Sequence, residues 1–432
     1  MRLIRLRTTT AVKYLFRWLI VASVVGFAGG LGAVVLSRGI SVIEHYAGFL
    51  PIWAAPAAGA LLASLIFLWD REASGFGTDR YITSVNLRYG YMSRRIAVSK
   101  LLATMFTIGS GGSGGLEGPM VLIGGSTANT IDRFPFVRKL FSVQDRRILT
   151  MCGAAGAIGA VFHAPLAGGI FVVEVLYKSS LTYRDLFPAM LSSVMGFVVY
   201  GLLASTNPLF SIPDYVPDVG DVHWFILAAI AGGLLSLVFM RVFAIARSIV
   251  VTRRRTLFMP VLGAIGTGAV VGLVPEVAGT GLDVIQALLN EYGGSAALLL
   301  LAGAKILATS LTVGFGGSGG LVIPALFIGA AAGNLIAGLL AQMGLAGSEG
   351  MLPSLVISAM SATLAGIANV PVSAAILSVE IAGLRLAVPA TIGSVIGYVI
   401  GKSSVIYGKG VRTDVAFGTS IRAGNTDRTL EE

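Results

Sequence analysis

Two glycine-rich runs contain the residues of this sequence that could do chemistry. They cover residues 109–118 and 314–320, and each leads through a proline, Pro119 or Pro324, into an apolar stretch. Because proline suits the first turn of a helix, each run predicts a helix N-terminus. The free N–H groups and positive dipole end of such a helix attract an anion. Without a full positive charge, such a site binds an anion weakly enough to release it.

Glu117 lies at the end of the first run, where the second run has Val322. An acidic side chain at membrane depth is costly and usually functional. A carboxylate at a helix N-terminus can occupy the place of the anion, and protonation would release it. We therefore predict that Glu117 is a gate sensitive to pH and to the competing anion. The alternative is that Glu117 only caps its helix.

The first run also permits an enzymatic interpretation. Ser113 lies in a Gly-x-Ser-x-Gly pattern that is typical of a nucleophile, and His163 is a candidate base. Ser318 repeats the serine in the second run, but no histidine lies at the matching place in the second half of the chain. An intramembrane serine protease is therefore only a remote alternative.

The composition places these runs in a membrane. Of 432 residues, 55% are hydrophobic and only 12% are charged, with a mean hydropathy of +0.85. A soluble chain has about 25% charged residues, so a water-soluble globular enzyme is nearly excluded. Cys152 is the only cysteine, which excludes an internal disulfide and a cysteine metal cluster. With three histidines besides, we predict no metal site and no cofactor.

Apolar stretches long enough for membrane helices follow one another along the chain. A helix needs about 20 apolar residues to cross a bilayer. No small-residue cleavage site follows the first stretch, which we therefore interpret as a retained helix and not as a signal peptide. Several others are interrupted by Gly or Pro, so some are helix pairs. The stretches are 14–38, 51–69, 99–131, 148–177, 183–206, 222–247, 256–275, 295–313, 323–342, 353–382 and 386–401.

The charged loops orient these segments. The net charge of +10 could indicate nucleic acid binding, but cytoplasmic loops of membrane proteins collect Lys and Arg. We therefore predict no nucleic acid partner. Basic residues gather at 71–95, 133–147 and 247–255 and near both termini, which places these parts inside. The loops at 203–223 and 276–295 hold acidic residues without Lys or Arg and lie outside.

This orientation makes two segments re-entrant, and the two are copies of one sequence. Segment 99–131 begins and ends inside, whereas segment 295–336 begins and ends outside. Residues 100–121 read KLLATMFTIGSGGSGGLEGPMV, and residues 305–326 read KILATSLTVGFGGSGGLVIPAL. An inverted repeat with broken helices indicates a transport pathway between its halves. Irregular backbone at membrane depth survives only where it lines a cavity or is buried in protein.

The repeat extends beyond the glycine-rich runs. HAPLAGGIFVVEV from His163 resembles NVPVSAAILSVEI from Asn369, and the match pairs Glu174 with Glu380. Because both copies have this glutamate, we predict that it hydrogen-bonds to helix ends; Lys100 and Lys305 are duplicated in the same way. The sequence predicts an all-α integral membrane protein of two inverted-topology halves, whose broken, re-entrant helices meet at the bilayer midplane. We expect a cytoplasmic segment at 1–13, the two repeats at 14–206 and 222–407, and a cytoplasmic tail at 408–432.

The motifs resemble those of the CLC family of chloride channels and chloride/proton exchangers, in its prokaryotic form without cytoplasmic CBS domains. The resemblance covers nearly the whole chain. It implies a homodimer in which each subunit has its own pore. The residues that carry it are GSGGSGGLEGP at 109–119, HAPLAG at 163–168, GGLVIP at 319–324 and Tyr407 in SSVIYGK.

The resemblance also assigns roles to single residues. Glu117 matches the gating glutamate of the family. The hydroxyls of Ser74 and Tyr407 are neutral donors suited to an anion that must not be trapped. Leu321 and Val322 match positions whose backbone N–H groups point at chloride. The residues with implied anion-binding roles are thus Ser74, Gly118, Leu321, Val322 and Tyr407.

Several positions depart from the family pattern. Leu116 replaces a basic residue beside Glu117, and Ala73 and Gly77 replace the residues expected around Ser74. Val322 replaces an aromatic residue, although its backbone donor remains. Exchangers generally have a second, inward-facing glutamate where this chain has Val175, as in the channel branch.

The sequence thus predicts chloride transport gated by Glu117, channel-like or weakly proton-coupled. The alternatives are a strictly coupled chloride/proton antiporter and a secondary transporter of another small anion. The partners we expect are chloride and related anions, protons, the lipid bilayer and a second copy of the chain. The protein is expected to be multi-pass in the plasma (inner) membrane, with both termini cytoplasmic.

Overall fold

The structure is a computed structural model that describes residues 2–176, 182–205, 207–212, 217–252, 258–345 and 351–403. Within these ranges the chain forms seventeen α-helices and no named strand, which confirms the predicted all-α class. Tyr407, to which the sequence assigns anion binding, lies outside the described residues.

Nine helices lie among the described residues of the first half of the chain. The first helix was predicted over residues 14–38 but is longer, because its helical backbone covers Arg2–Ala47. The bounds are α1 Arg2–Ala47, α2 Ala55–Trp69, α3 Thr78–Leu87, α4 Arg95–Gly109, α5 Glu117–Ile131, α6 Pro135–Leu140, α7 Val143–Val161, α8 Pro165–Glu174 and α9 Tyr183–Leu203.

The second half, where the structure describes it, contains eight helices, which repeat those of the first half in order once the short α6 is set aside. A π-helical turn, Ser310–Gly314, extends the end of α13. The bounds are α10 Val222–Thr252, α11 Met259–Leu273, α12 Leu282–Asn290, α13 Ser295–Thr309, α14 Val322–Gln342, α15 Met351–Ala368, α16 Pro371–Ala382 and α17 Ala387–Gly401.

In the described part of the chain, seven helices are long and apolar enough to cross a membrane, and four shorter apolar helices accompany them. The shorter ones include α8 and α16, of 10 and 12 residues. At 1.5 Å per residue each is less than about 20 Å long, whereas the hydrocarbon core is about 30 Å thick. These two helices therefore end within the membrane.

The apolar stretches 148–177 and 353–382 are each two helices, as their Pro residues indicated. The first breaks at His163 and the second at Asn369, where φ is +53° and +58°. Left-handed backbone of this kind ends a helix. Pro165 and Pro371 then begin α8 and α16 at the first helical turn, where a missing N–H costs no hydrogen bond.

Close helix packing requires some of the 57 glycines of the sequence. At the crossing of α5 and α7, Gly124 faces Gly153, and a Cβ on either residue would lie 2.1 Å from the carbonyl oxygen of the other. Only glycine therefore allows these two backbones to touch. The most enclosed helix is α15, all of whose residues are buried.

An ion-pair cluster joins α1 to the first turns of α7 and α9 on the side with the basic loops. Asp145, ahead of the apolar part of α7, pairs with Arg17 of α1 at 3.4 Å and with Arg184 of α9 at 3.3 Å. Burial raises the pKa of Asp145, but hydrogen bonds from Ser142, the charge of Arg17 and a hydrogen bond from Arg184 outweigh it. The pKa of this carboxyl therefore lies below its ordinary value.

Candidate anion site

The two glycine-rich runs meet face to face in the interior. Gly115 and Gly320 form an isolated antiparallel bridge, with N–H···O distances of 2.8 and 2.6 Å. Two further backbone bonds lie at equivalent places of the two repeats. The N–H of Gly75 donates to the carbonyl of Gly316 at 2.9 Å, and that of Gly279 donates to the carbonyl of Gly111 at 3.4 Å. The runs thus bring the N-termini of α5 and α14 together, as the opposite orientation of the two copies predicted.

Serine and threonine hydroxyls connect the runs in the same symmetric way. The Ser113 hydroxyl lies 3.0 Å from that of Thr309, and the Ser318 hydroxyl lies 2.7 Å from that of Thr104. The ring of His163 instead contacts the Asn207 carbonyl at 2.7 Å. The structure therefore does not bring Ser113 and His163 together as a nucleophile and its base.

Glu117 is the first residue of α5, and its side chain is fully buried. Its Oε1 accepts hydrogen bonds from the backbone N–H groups of Leu321 and Val322, at 2.8 Å for Val322. These groups belong to the N-terminus of α14, in the other half of the chain. Among the described residues, Oε2 has no hydrogen-bond partner. The carboxylate therefore lies where the free N–H groups and dipole of α14 favour an anion.

Gly118 follows Glu117 and packs against the turn that precedes α3. A Cβ on Gly118 would lie 1.6 Å from the carbonyl oxygen of Phe76, and one on Gly77 would lie 2.6 Å from that of Gly118. The apolar periodicity did not predict α3 or its counterpart α12, both of which are short. The available signal was the Gly-x-Gly pair at 75–77, which recurs at 279–281.

Ser74 ends the short 3-10 turn that precedes this contact. Its hydroxyl, which was predicted to face an anion, donates instead to the carbonyl of Arg71 within the turn, at 3.0 Å.

Two buried lysines hold the turns that lead into α3 and α12. The Lys100 ammonium donates to the carbonyls of Ala73, at 3.0 Å, and Gly75. Lys305 donates to the carbonyls of Gly279 and Thr280 at 3.1 and 3.0 Å, and to that of Val277 at 3.2 Å. Each lysine satisfies carbonyls of an irregular segment at membrane depth, which agrees with the architectural role expected from their duplication.

Two glutamates cap half-length helices in a reciprocal arrangement. Glu174, at the end of α8, accepts from the N–H groups of Val372 and Ser373 at the start of α16, at 2.9 and 2.7 Å. Glu380, near the end of α16, accepts from Leu166 and Ala167 at the start of α8, also at 2.9 and 2.7 Å. The prediction that these glutamates bond to helix ends is confirmed.

A small, partly open cavity adjoins Glu117 on the side of α8 and α16. Its lining is mostly apolar, and the hydroxyl of Ser373 within it also donates to Glu174. Val175, directly after α8, is half-buried and packs at the edge of the core. The lining residues are Glu117, Ile158, Phe162, Ala167, Gly168, Phe171, Val322, Leu364, Ser373 and Leu377.

An ion pair that the sequence analysis did not predict joins the two halves beside this site. Arg247 on α10 pairs with Asp79 in the first turn of α3 at 3.0 Å, and its guanidinium lies 5.0 Å from the centroid of the Phe76 ring. The pair fixes α3 against the second repeat. No signal of length or spacing links these residues, which are far apart in the chain.

Comparison with known proteins gives a family match that spans most of the chain. The sequence model of the family described as "Voltage gated chloride channel" matches residues 58–402. Curated relatives cover similar lengths. An uncharacterized protein of Methanocaldococcus jannaschii is 31% identical over 400 residues, which are 91% of this chain and 96% of that protein.

Another relative and a solved structure extend this likeness. The H(+)/Cl(−) exchange transporter ClcA of Vibrio cholerae is 27% identical over 386 residues, which are 84% of this chain and 82% of that protein. The solved structure of a slow cyanobacterial Cl−/H+ antiporter superposes with a TM-score of 0.76 at 19% identity. It covers 95% of this chain and 99% of that one, so the two share a fold.

Proposed function

The chain belongs to the voltage-gated chloride channel family, and we propose that it passes chloride and related small anions through a pathway within each subunit, gated by Glu117. Chloride transport, by a channel or a proton-coupled exchanger, is the function of this family. The observation that carries the gating proposal is the hydrogen bonding of the Glu117 carboxylate to the N–H groups of Leu321 and Val322.

The gate works by competition for these N–H groups. While Glu117 is charged, its carboxylate holds the N-terminus of α14, and an approaching chloride finds the donors occupied. Protonation removes the charge that strengthens these hydrogen bonds, so the neutral side chain leaves more readily. A chloride can then accept from Leu321 and Val322. We expect conduction to rise as pH falls and as the chloride concentration rises.

The remaining anion contacts come from neutral donors. We propose that Gly118 contributes by letting the turn before α3 approach the site, and that Tyr407 contributes its hydroxyl. For Tyr407 the support is the family motif alone. Neutral donors let the anion leave as readily as it arrives.

We propose a homodimer with one pathway in each subunit. Exposed apolar side chains line α9 and α17 and suit contact with lipid or with a second copy. The distribution of basic loops supports an inner-membrane protein with both termini cytoplasmic. The exposed side chains are Val194, Val198 and Leu202 on α9, and Val388, Val395 and Val399 on α17.

Channel-like or weakly coupled transport is the favoured form of this activity. Val175 cannot carry a proton, and it stands where exchangers of the family generally have a glutamate. One observation favours the alternative of strict chloride/proton coupling. The cavity beside Glu117 extends to Ser373, whose hydroxyl donates to Glu174, which gives a proton another buried carboxylate to reach. The Vibrio cholerae relative is also an exchange transporter.

The gating proposal is tested by chloride flux from liposomes. The Glu117→Gln variant keeps the size of the side chain but cannot ionise, so its flux should no longer depend on pH between about pH 4 and pH 8. The unsubstituted protein, reconstituted at the same density, should conduct faster at the lower pH. Glu44→Gln, at an exposed position near the end of α1, is the matched control and should keep the original profile. An unchanged pH profile in Glu117→Gln would refute the gate.

A further inference from the structure

The segment between α5 and α7 presents a surface that has no counterpart in the second repeat. It contains the short helix α6, Pro135–Leu140. The equivalent connection after α14, residues 343–350, has no Lys, no Arg and no aromatic residue in its sequence. A segment needed only for the shared architecture would recur in both copies, as Lys100 and Lys305 do. We call this surface the α6 surface, and its residues are Arg133, Phe134, Phe136, Arg138 and Lys139.

The length of α5 places this segment at the membrane surface. The helix begins at Glu117, in the site where the two repeats meet, and covers 15 residues. At 1.5 Å per residue it is about 22 Å long, whereas half of the hydrocarbon core is about 15 Å thick. The end of α5 therefore reaches the lipid headgroups, on the side where the basic loops gather.

The inward face of the segment packs against α1. Phe141 belongs to an apolar cluster around Trp18, and Val137 packs against the same cluster. The ring centroids of Trp18 and Phe141 are 5.0 Å apart, and the Arg17 guanidinium lies 4.8 Å from the centroid of the Phe141 ring. This packing fixes the orientation of α6, so the residues of the α6 surface stay on the outside of the protein.

Two phenylalanines of the α6 surface are exposed. Phe134 is 63% exposed and Phe136 is 78% exposed. Contact of these apolar rings with water is unfavourable. Phe136 and Lys139 are three residues apart, so they share one side of the helix. An apolar ring next to an ammonium group suits the boundary between acyl chains and headgroups.

Three cations of the α6 surface have no acidic partner. Arg133, Arg138 and Lys139 are exposed, and within the described part of the chain no acidic side chain pairs with them. The neighbouring Asp132 pairs instead with Arg146, at 3.2 Å. The surface thus carries three uncompensated positive charges at the level of the headgroups, where such charges attract anionic lipid.

We propose that the α6 surface binds an anionic phospholipid of the leaflet on the side of the basic loops. The three cations donate hydrogen bonds to the phosphate of the headgroup, and Phe134 and Phe136 enter the acyl chains beside it. The phenylalanines favour a lipid over a free phosphate, because a free phosphate leaves their rings in water. This inference goes beyond chloride transport and does not depend on gating by Glu117.

The test is native mass spectrometry of the purified full-length protein in detergent, titrated with phosphatidylglycerol or with phosphatidylcholine of the same acyl chains. The unsubstituted protein should prefer phosphatidylglycerol. The triple variant Arg133→Gln/Arg138→Gln/Lys139→Gln should weaken phosphatidylglycerol binding at least about tenfold, since each cation near an anionic surface is worth about fivefold in affinity. Its binding of phosphatidylcholine should stay unchanged.

A charge-matched control removes three exposed arginines at the connection between α3 and α4, in the variant Arg88→Gln/Arg94→Gln/Arg95→Gln. This variant should keep the original affinity for phosphatidylglycerol. Equal losses in the two triple variants would show that net charge alone attracts the lipid, and would overturn the assignment to α6. Displacement of the lipid by inorganic phosphate would make the surface a site for free phosphate and would equally overturn the proposal.

A second measurement tests the insertion of Phe136. Cys152 is buried, so a nitroxide label attached to the Phe136→Cys variant reports on that position alone. In vesicles of phosphatidylglycerol and phosphatidylcholine, the label should collide more often with dissolved oxygen than with a water-soluble nickel complex. Gln144→Cys, exposed in the first turn of α7, is the control and should show the reverse. Frequent collision of the label at position 136 with the nickel complex would place this residue in water and contradict the proposal.

Discussion

Among single residues, Glu117 supplies the carboxylate of the site, and Gly118 supplies the space that lets the turn before α3 approach it. The carboxylate of Glu117 bonds to backbone of the other repeat, and Gly118 leaves no gap between itself and the carbonyl of Phe76. A side chain at position 118 would push the turn before α3 away from the site. A substitution at position 118 therefore tests whether the close approach of that turn is needed for transport.

Gly118→Ala should reduce chloride flux in liposomes at least about tenfold and lower the free energy of unfolding by about 1–3 kcal/mol, because its Cβ would overlap the Phe76 carbonyl. Gly303→Ala is the control. A Cβ there meets nothing within 4 Å on an exposed part of α13, so it should leave flux unchanged and stabilise the helix by about 0.5–1 kcal/mol. Normal flux in Gly118→Ala would show that the turn can move without consequence.

The sequence predicted single residues unevenly. Glu117 was identified because it breaks the repeat at a helix N-terminus, where a carboxylate has a clear electrostatic partner. Ser74 was placed by a motif whose flanking residues had changed to Ala73 and Gly77. The direction of a hydroxyl depends on the local turn, and spacing does not determine it.

Among the helices, α8 and α16 show how half-length elements are stabilised inside a membrane. Each leaves N–H groups at mid-depth, and a glutamate from the other helix accepts them. The duplicated glutamates were predictable from the repeat, as was the break of each apolar stretch. The short helices α3 and α12 were not, since α3 contains Asp79 and Arg80 and lacks a long apolar face.

Glu174→Ala should lower the free energy of unfolding in detergent by about 2 kcal/mol or more, because it leaves two N–H groups at the start of α16 unpaired. Glu380→Ala should cost less, since its partner Leu166 is exposed. Chemical denaturation followed by tryptophan fluorescence measures both. Equal stability of Glu174→Ala and the unsubstituted protein would contradict the capping role.

In the whole molecule, the two repeats enclose one site from opposite sides. This arrangement was predictable from the charged loops and from the repetition of residues 100–121 at 305–326. Length and composition could not predict the route of a proton. This route depends on a cavity between helices that are distant in the sequence. Glu117 and Ser373, far apart in the chain, both line this cavity, and Ser373 donates to Glu174 behind it.

A chloride gradient imposed across liposomes should drive little proton movement, because Val175 offers no ionisable group. The measurement is simultaneous recording of external pH and chloride after dilution into low-chloride medium, and a protonophore supplies the control for charge compensation. Sustained uphill proton transport at a fixed ratio to chloride would establish the coupled alternative. In that case Glu174→Gln should abolish the proton signal while chloride flux continues.

The reciprocal hydrogen bonds between Gly115 and Gly320 join the two glycine-rich runs, so that neither run can move without the other. Swinging one repeat against the other would break these bonds, and the serine–threonine pairs around them, in a single step. Side-chain rotation is the motion that leaves them intact. Rotamer changes occur far faster than collective rearrangements of domains, which take microseconds to milliseconds. We therefore expect the arrival of ions and protons, and not a rocking motion of the scaffold, to set the pace of the cycle.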